Sequence, residues 1–348
     1  MSDAPGGNLV RPRMTRLVRV AALAVVAGAA LAACTAGSGS TGTHASTGTG
    51  VTPTPSTAAL TTPKATPTPS KAAGPTKQVR VSALQADGVT VGVGMPIILR
   101  FSPAPTDSAA FTKAVTVTVN GQPANGAWYW EKPLADAPVE AHYRPRGYWP
   151  AHATIRANVP IGGLSAGPGL VYSDKLTSVT FLTGAAHIST VNGSTGVLRM
   201  TVTSDGKFVR TIPVSLGLAQ YPTYNGTKVV MQKGEDVPGT NTLRPNGTVL
   251  MSGVGYTNAP VQWSVRLTGS GEYVHAAPWN GEIGAQSTSH GCTNLHTADG
   301  KWFYDFSNIG DVVTYANTGG PRMPSWDGYG DWNIPWALWA QGGLLLNH

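Results

Sequence analysis

The sequence predicts a mainly β protein: a small β-sandwich, then a second β-rich domain with one or two short helices, then a C-terminal subdomain. Three observations predict it. Only 12% of the 348 residues are charged, whereas Gly (43) and Pro (27) abound, a composition of many turns rather than of helical bundles. Short runs alternate apolar and polar residues with the two-residue period of a half-buried strand. Asn-Gly and Asp-Gly pairs punctuate those runs, and such pairs favour tight hairpins.

The elements follow in chain order. Arg11, Arg13, Arg16 and Arg19 precede an apolar run from Val20 to Ala33. A basic start and about 14 apolar residues fit an export signal and fall short of the ~20 a spanning helix needs. The run ends in Leu31-Ala-Ala-Cys34, which resembles the lipobox of bacterial lipoproteins. That resemblance implies a signal peptide over 1–33, acylation of Cys34, and a chain anchored on the outer face of the cytoplasmic membrane. Losing four Arg and one Asp with the signal lowers the formal charge from +7 to +4. A weak balance with no basic block excludes a nucleic-acid footprint. Residues 34–77 are Thr, Ser, Gly, Pro and Ala with no aromatic residue and almost no charge, and are expected to be a disordered tether. His44 lies there and receives no role.

Residues 78–183 are expected to form the sandwich, with Val115–Gln122 as a strand ending in an Asn-Gly turn. Trp128, Trp130, Tyr143, Tyr148 and Trp149 are assigned to core or interdomain packing. The second domain spans 184–316, with turns at Asn192-Gly193, Asp205-Gly206 and Ser270-Gly271. Residues 231–262 are Gly- and Asn-rich, as expected of a long hairpin or flap over a site. Thr297 can cap a helix presenting Trp302, Phe303 and Phe306, ending near Gly310, before a strand in "DVVTYAN". In the Trp-rich extension 317–348, Pro335 opens a short helix and Gly342 follows it, with Trp336 and Trp339 on one side. It reads as a plug packed on the second domain rather than a glycan-stacking platform.

The chemistry centres on Cys292, in "STSHGCTNLH". With Cys34 acylated, Cys292 has no disulfide partner, and an unpaired thiol in an exported chain is flagged as reactive. A Cys34–Cys292 disulfide is the alternative, which the lipobox disfavours. A cysteine attacks as its thiolate and needs a base nearby. His275, His290 and His296 are candidates, and spacing alone does not choose among them. A zinc site from these histidines and Cys292 is the metal alternative, but the spacing matches no common zinc motif and no metal is expected.

The block from Tyr273 to Val313, with His275 followed by Ser289-His290-Gly291-Cys292-Thr293-Asn294, resembles the active-site signature of the L,D-transpeptidases, the YkuD-type cell-wall enzymes. The tail "DGYGDWNIPW" is similar to the extension of actinobacterial members, and the sandwich to their immunoglobulin-like domain. The resemblance implies Cys292 as nucleophile and His275 as general base, oriented by the backbone carbonyl of Ala276. The N–H groups of Gly291 and Cys292 would form an oxyanion hole. Ser289, His290 and Asn294 would shape the loop and contact substrate, Tyr256 would help line the hole, and Trp279 would help wall the pocket. It implies 3→3 cross-linking of peptidoglycan tetrapeptide stems without a cofactor, and inhibition by carbapenem-type β-lactams. Hydrolysis of the stem, attachment of proteins to peptidoglycan and non-catalytic wall binding are the alternatives.

Overall fold

The structure, a computed structural model, describes residues 76–133 and 138–346. The expected signal, the Cys34 acylation site, His44 and the tether up to residue 75 lie outside the described residues. Lys77, placed in the tether on sequence grounds, already begins a strand, Lys77–Ala83.

The first domain is a sandwich of a six-stranded and a five-stranded sheet. Asn120 and Gly121 both take left-handed φ values, 51° and 80°, turning Thr116–Val119 back into Gln122–Pro123 as the Asn-Gly pair predicts. Trp128, Trp130, Tyr143 and Trp149 are buried in its core. Trp130 packs on Phe101 and Phe111 with ring centroids 4.7 and 5.0 Å apart.

The second domain holds a five-stranded sheet in the order Lys207–Pro213, Arg199–Ser204, His187–Asn192, Val312–Ala316, Gly226–Val229. A four-stranded sheet carries Tyr273–Ala276 beside Thr293–Leu295. Asp205-Gly206 forms the expected tight turn, with φ of 49° and 74°. Asn192-Gly193 does not: Asn192 pairs with Arg199 across a six-residue connection, and its side chain caps the Ser194 N–H instead. The helix runs Thr297–Phe306, with His296 rather than Thr297 in the capping position. It stops four residues before Gly310, where Ser307 turns extended. Phe303 enters the core, while Trp302 and Phe306 stack on each other at 4.8 Å.

Two glycines let the domains meet. The N–H groups of Gly92 and Gly94 donate to the carbonyls of Ile309 and Gly310 at 2.8 and 2.9 Å. A Cβ on Gly92 would lie 2.2 Å from the Asp311 nitrogen, so only glycine permits this approach.

The C-terminal extension corrects the expectation of a plug on the second domain: it straps that domain to the sandwich. Asn333 Oδ1 accepts from the Thr227 N–H, and the Trp332 indole donates to the Gly94 carbonyl. The short helix Trp336–Trp339 then packs on the sandwich. There Trp339 stacks on Tyr129 at 4.8 Å, and the Arg144 guanidinium lies 4.8, 5.5 and 4.5 Å from the rings of Trp332, Trp336 and Trp339.

A buried clasp completes the strap. His142 Nδ1 bonds Asp331 of the extension at 2.7 Å and Nε2 bonds Glu140 at 2.9 Å. Burial opposes a charge on His142, but the Asp331 carboxylate, both hydrogen bonds and Glu131 carry its pKa well above the ordinary value. A raised histidine stabilises the fold fully below its unfolded pKa and less as pH rises toward the folded one. His142→Gln cannot carry the charge. It should lower the midpoint of thermal unfolding at pH 6, by a loss on the order of 3 kcal/mol. Its unfolding should also depend less on pH between 6 and 9 than that of the wild type.

Candidate active site

The parallel pairing of Tyr273–Ala276 with Thr293–Leu295 builds the site. It sets His275 opposite Asn294. Cys292 lies in the bend that leads into Thr293–Leu295, 17 residues after His275. Both line a cavity of about 700 Å³ together with Tyr256, Trp279, Ser289, His290 and Asn294. The expected flap supplies one wall: the hairpin of Val249–Gly253 and Tyr256–Val261 contributes Met251, Tyr256, Ala259, Pro260 and Val261.

His275 is buried, and its Nδ1 lies 2.9 Å from the Ala276 carbonyl oxygen. A carbonyl only accepts, so Nδ1 carries the proton and Nε2 is left with its lone pair. Burial pushes the imidazole down to about 4, against the pull of that hydrogen bond. Its ring lies 6.1 Å from that of Trp279, at 28° between planes.

The Cys292 thiol is half-buried, with Sγ 3.8 Å from the Gly271 carbonyl oxygen. Burial pushes it up to about 11; the Tyr273 backbone N–H and Lys228 oppose this, and Glu272 adds to it. At neutral pH the resting pair is therefore thiol and neutral imidazole. Burial, which pushes the thiol up and the imidazole down, disfavours a preformed thiolate–imidazolium pair at rest. Ionisation of the sulfur belongs to the reaction, not to the resting site.

The loop around Cys292 is tied from both sides. The Ser289 hydroxyl donates to the Cys292 carbonyl at 2.6 Å and accepts the Gly291 N–H at 3.1 Å. Gly291 adopts a φ of 119°, open to glycine and strained for other residues. The Gly291 N–H assigned to an oxyanion hole is thus already engaged by Ser289. The Cys292 N–H meets no acceptor among the described residues. The Asn294 backbone is fixed by Ser215 through bonds of 2.8 and 3.1 Å, while its buried side-chain Oδ1 meets no donor among the described residues. Burial raises Tyr256, and a thiolate on Cys292 raises it further. His290 is exposed between Tyr221 and Tyr256, with ring centroids 4.8 and 6.0 Å away. His296 points out of the site, exposed at the helix start.

Metal-type ligands gather elsewhere. Among the described residues, Glu131, Glu140 and His142 come close enough to share an ion. Both His142 nitrogens already face carboxylates, which suits a histidinium rather than a metal ligand. Sequence reasoning passed over Glu282, the one carboxylate among the cavity-lining residues, and Lys228 and Glu272 near Cys292. Lys228 left one signal, a lysine inside the strand Gly226–Val229 where a buried side chain belongs.

Comparison with known proteins agrees with this architecture. A model of the bacterial Ig domain matches residues 40–165 and one of the L,D-transpeptidase catalytic domain, YkuD, matches 187–314. L,D-transpeptidase 2 of Mycobacterium tuberculosis is 35% identical over 260 residues, 74% of this chain and 61% of the relative. L,D-transpeptidase 5 is 32% identical over 77% of this chain and 57% of its own length, so the match spans less than two thirds of either relative. The probable L,D-transpeptidase 3 of that organism is 32% identical and covered over 84% of its length. Among solved structures, an LD transpeptidase in complex with imipenem superposes with a TM-score of 0.52 at 29% identity, covering 68% of this chain and 97% of that one. L,D-transpeptidase 3 of Mycobacterium tuberculosis carrying a faropenem-derived adduct gives a TM-score of 0.51 at 29% identity, with coverages of 68% and 97%.

Proposed function

The chain belongs to the L,D-transpeptidase family, and from that premise we propose that it joins peptidoglycan stem peptides by 3→3 cross-links through a thioester on Cys292. The observation that carries this reading is that Cys292 and His275 line one cavity, with the His275 Nδ1 tied to the Ala276 carbonyl and Nε2 left to take a proton.

In the first half-reaction the Cys292 sulfur attacks the carbonyl at the L-centre of meso-diaminopimelate in a tetrapeptide stem. Its proton passes to His275 Nε2 as the C–S bond forms. The Cys292 N–H, with the Tyr256 hydroxyl, faces the developing oxyanion. Gly291 joins them when its N–H leaves Ser289. Collapse breaks the amide, and His275 returns its proton to the departing D-alanine amine. In the second half-reaction the side-chain amine of another diaminopimelate attacks the thioester and gives its proton to His275. The new amide forms, and the sulfur leaves as a thiol. Asn294 Oδ1 is an unpartnered acceptor for a stem N–H. The wall of Met251, Pro260 and Val261 sheds water that would otherwise hydrolyse the thioester.

Incubation with a purified tetrapeptide-stem disaccharide tests this. A dimer lacking one D-alanine is the expected product by mass; tripeptide alone would make the enzyme a carboxypeptidase. The acceptor approaches as an ammonium and sheds one proton to water before its free amine attacks, and Glu282 is the one carboxylate lining the cavity. An exposed charge pair is worth ~0.2–1 kcal/mol. Glu282→Gln should therefore lower the ratio of dimer to tripeptide by up to about fivefold, read from the same mass spectra.

Export and acylation at Cys34 complete the proposal: a lipid anchor outside the membrane holds the domain within reach of the wall. Radiolabelled palmitate should label the wild-type chain in cells and spare Cys34→Ala.

A further inference from the structure

Lys228 is wholly buried in the strand Gly226–Val229, close enough to Cys292 for the two charges to act on each other. Its Nζ bonds Glu272 Oε2 and lies 3.8 Å from the centre of the Tyr315 ring. Glu272 Oε1 accepts the Tyr224 N–H at 2.7 Å. A Cβ built on Gly291 would stand 3.8 Å from that same oxygen, so the carboxylate lies against the backbone that carries Cys292. Glu272 also begins the short stretch into Tyr273, whose N–H reaches the sulfur, and follows Gly271, whose carbonyl receives it.

A buried carboxylate near a nucleophile works against the nucleophile, because it repels the thiolate the reaction must pass through. A buried lysine needs a partner, because an unpaired ammonium is costly to desolvate. Each charge resolves the other's difficulty. We propose that the Lys228–Glu272 pair is a positioning device for Cys292: Glu272 holds the Gly271–Tyr273 backbone against the Gly291–Cys292 loop, and Lys228 cancels its charge so that the sulfur can ionise near it. The inference rests on Cys292 being the nucleophile.

Among the described residues, the titratable groups facing the sulfur or the pair are Tyr273 and His275 from one strand, Tyr256 from the hairpin, Tyr315 from the central sheet, Asp327 from the extension, and Tyr224, whose N–H Glu272 holds. Asp327 accepts both the N–H and the hydroxyl of Ser270 at 2.6 Å, so the extension holds the same turn.

Alkylation of Cys292 by iodoacetamide in the full chain, located by peptide mass between pH 8 and 10, reads thiolate formation directly. Lys228→Met should slow it about tenfold, the effect of a thiol pKa raised by one. Glu272→Gln retains the acceptor for Tyr224 and should speed alkylation several-fold. The double variant should react at least as fast as wild type. Slowing by both single variants, or no change on Lys228→Met, would reduce the pair to packing and overturn the inference. Should Lys228→Met fail to fold, Glu272→Gln decides alone: faster alkylation supports the device, and unchanged or slower alkylation rejects it. Alkylation does not depend on substrate, so this pattern can hold where no cross-linking occurs, which would remove the transpeptidase reading and leave this one.

Discussion

Incubated with a carbapenem, the wild-type chain should gain the mass of one drug molecule, and Cys292→Ala should gain none. Opening of the β-lactam by sulfur loses no atoms, so the adduct carries the full mass of the drug. The cavity of about 700 Å³ is in the range that encloses a drug-sized ligand. The pH profile separates two routes to that adduct. A thiol pushed up to about 11 is ionised on the order of one part in ten thousand at pH 7, so reaction through free thiolate climbs tenfold per pH unit. Proton transfer to His275 within the attack follows the base instead. His275, pushed down to about 4, is neutral and competent across pH 6 to 9, and acylation should be nearly flat there and fall only as pH drops toward 4. A wild type that stays unmodified would overturn the assignment.

The fold was legible where local chemistry decides it. Asn120-Gly121 and Asp205-Gly206 turn as their left-handed preference demands. Asn192-Gly193 shows the limit: the same pair becomes an Asx turn when the sheet register asks for a longer connection. The extension misled because Trp336 and Trp339 announce a buried face without saying against what. Their partner, Arg144, lies almost 200 residues earlier and shows no pattern of its own. In the candidate site, the unpaired Cys292 stands out in the sequence, but His275 is singled out from His290 and His296 only by the family resemblance. The neutral resting state was not legible, because burial arises from the hairpin and both sheets together. Lys228 and Glu272 are separated by 44 residues, and nothing local marks either as the other's partner.

The second large effect concerns which histidine serves as base. His275→Ala should lower turnover by about 10²–10⁴, the usual contribution of a positioned general base, while His290→Ala should weaken it by much less. His275 has the features the role requires. Its Nδ1 is tied to the Ala276 carbonyl, it lines the same cavity as Cys292, and its burial keeps it neutral. His290 lines the same cavity but is exposed and packed between Tyr221 and Tyr256, a place suited to touching substrate. It also sits one residue from Gly291, on the loop that Ser289 bridges, so its backbone shapes the site whatever its side chain does. Single-turnover acylation by a carbapenem measures the two variants without an acceptor. A larger loss for His290→Ala than for His275→Ala would move the base to the loop. The Ala276 carbonyl would then hold a ring that only walls the pocket. Rescue by added imidazole would sharpen the result: a cavity left by His275→Ala can admit a small base, whereas a lost contact at His290 cannot be restored by proton transfer.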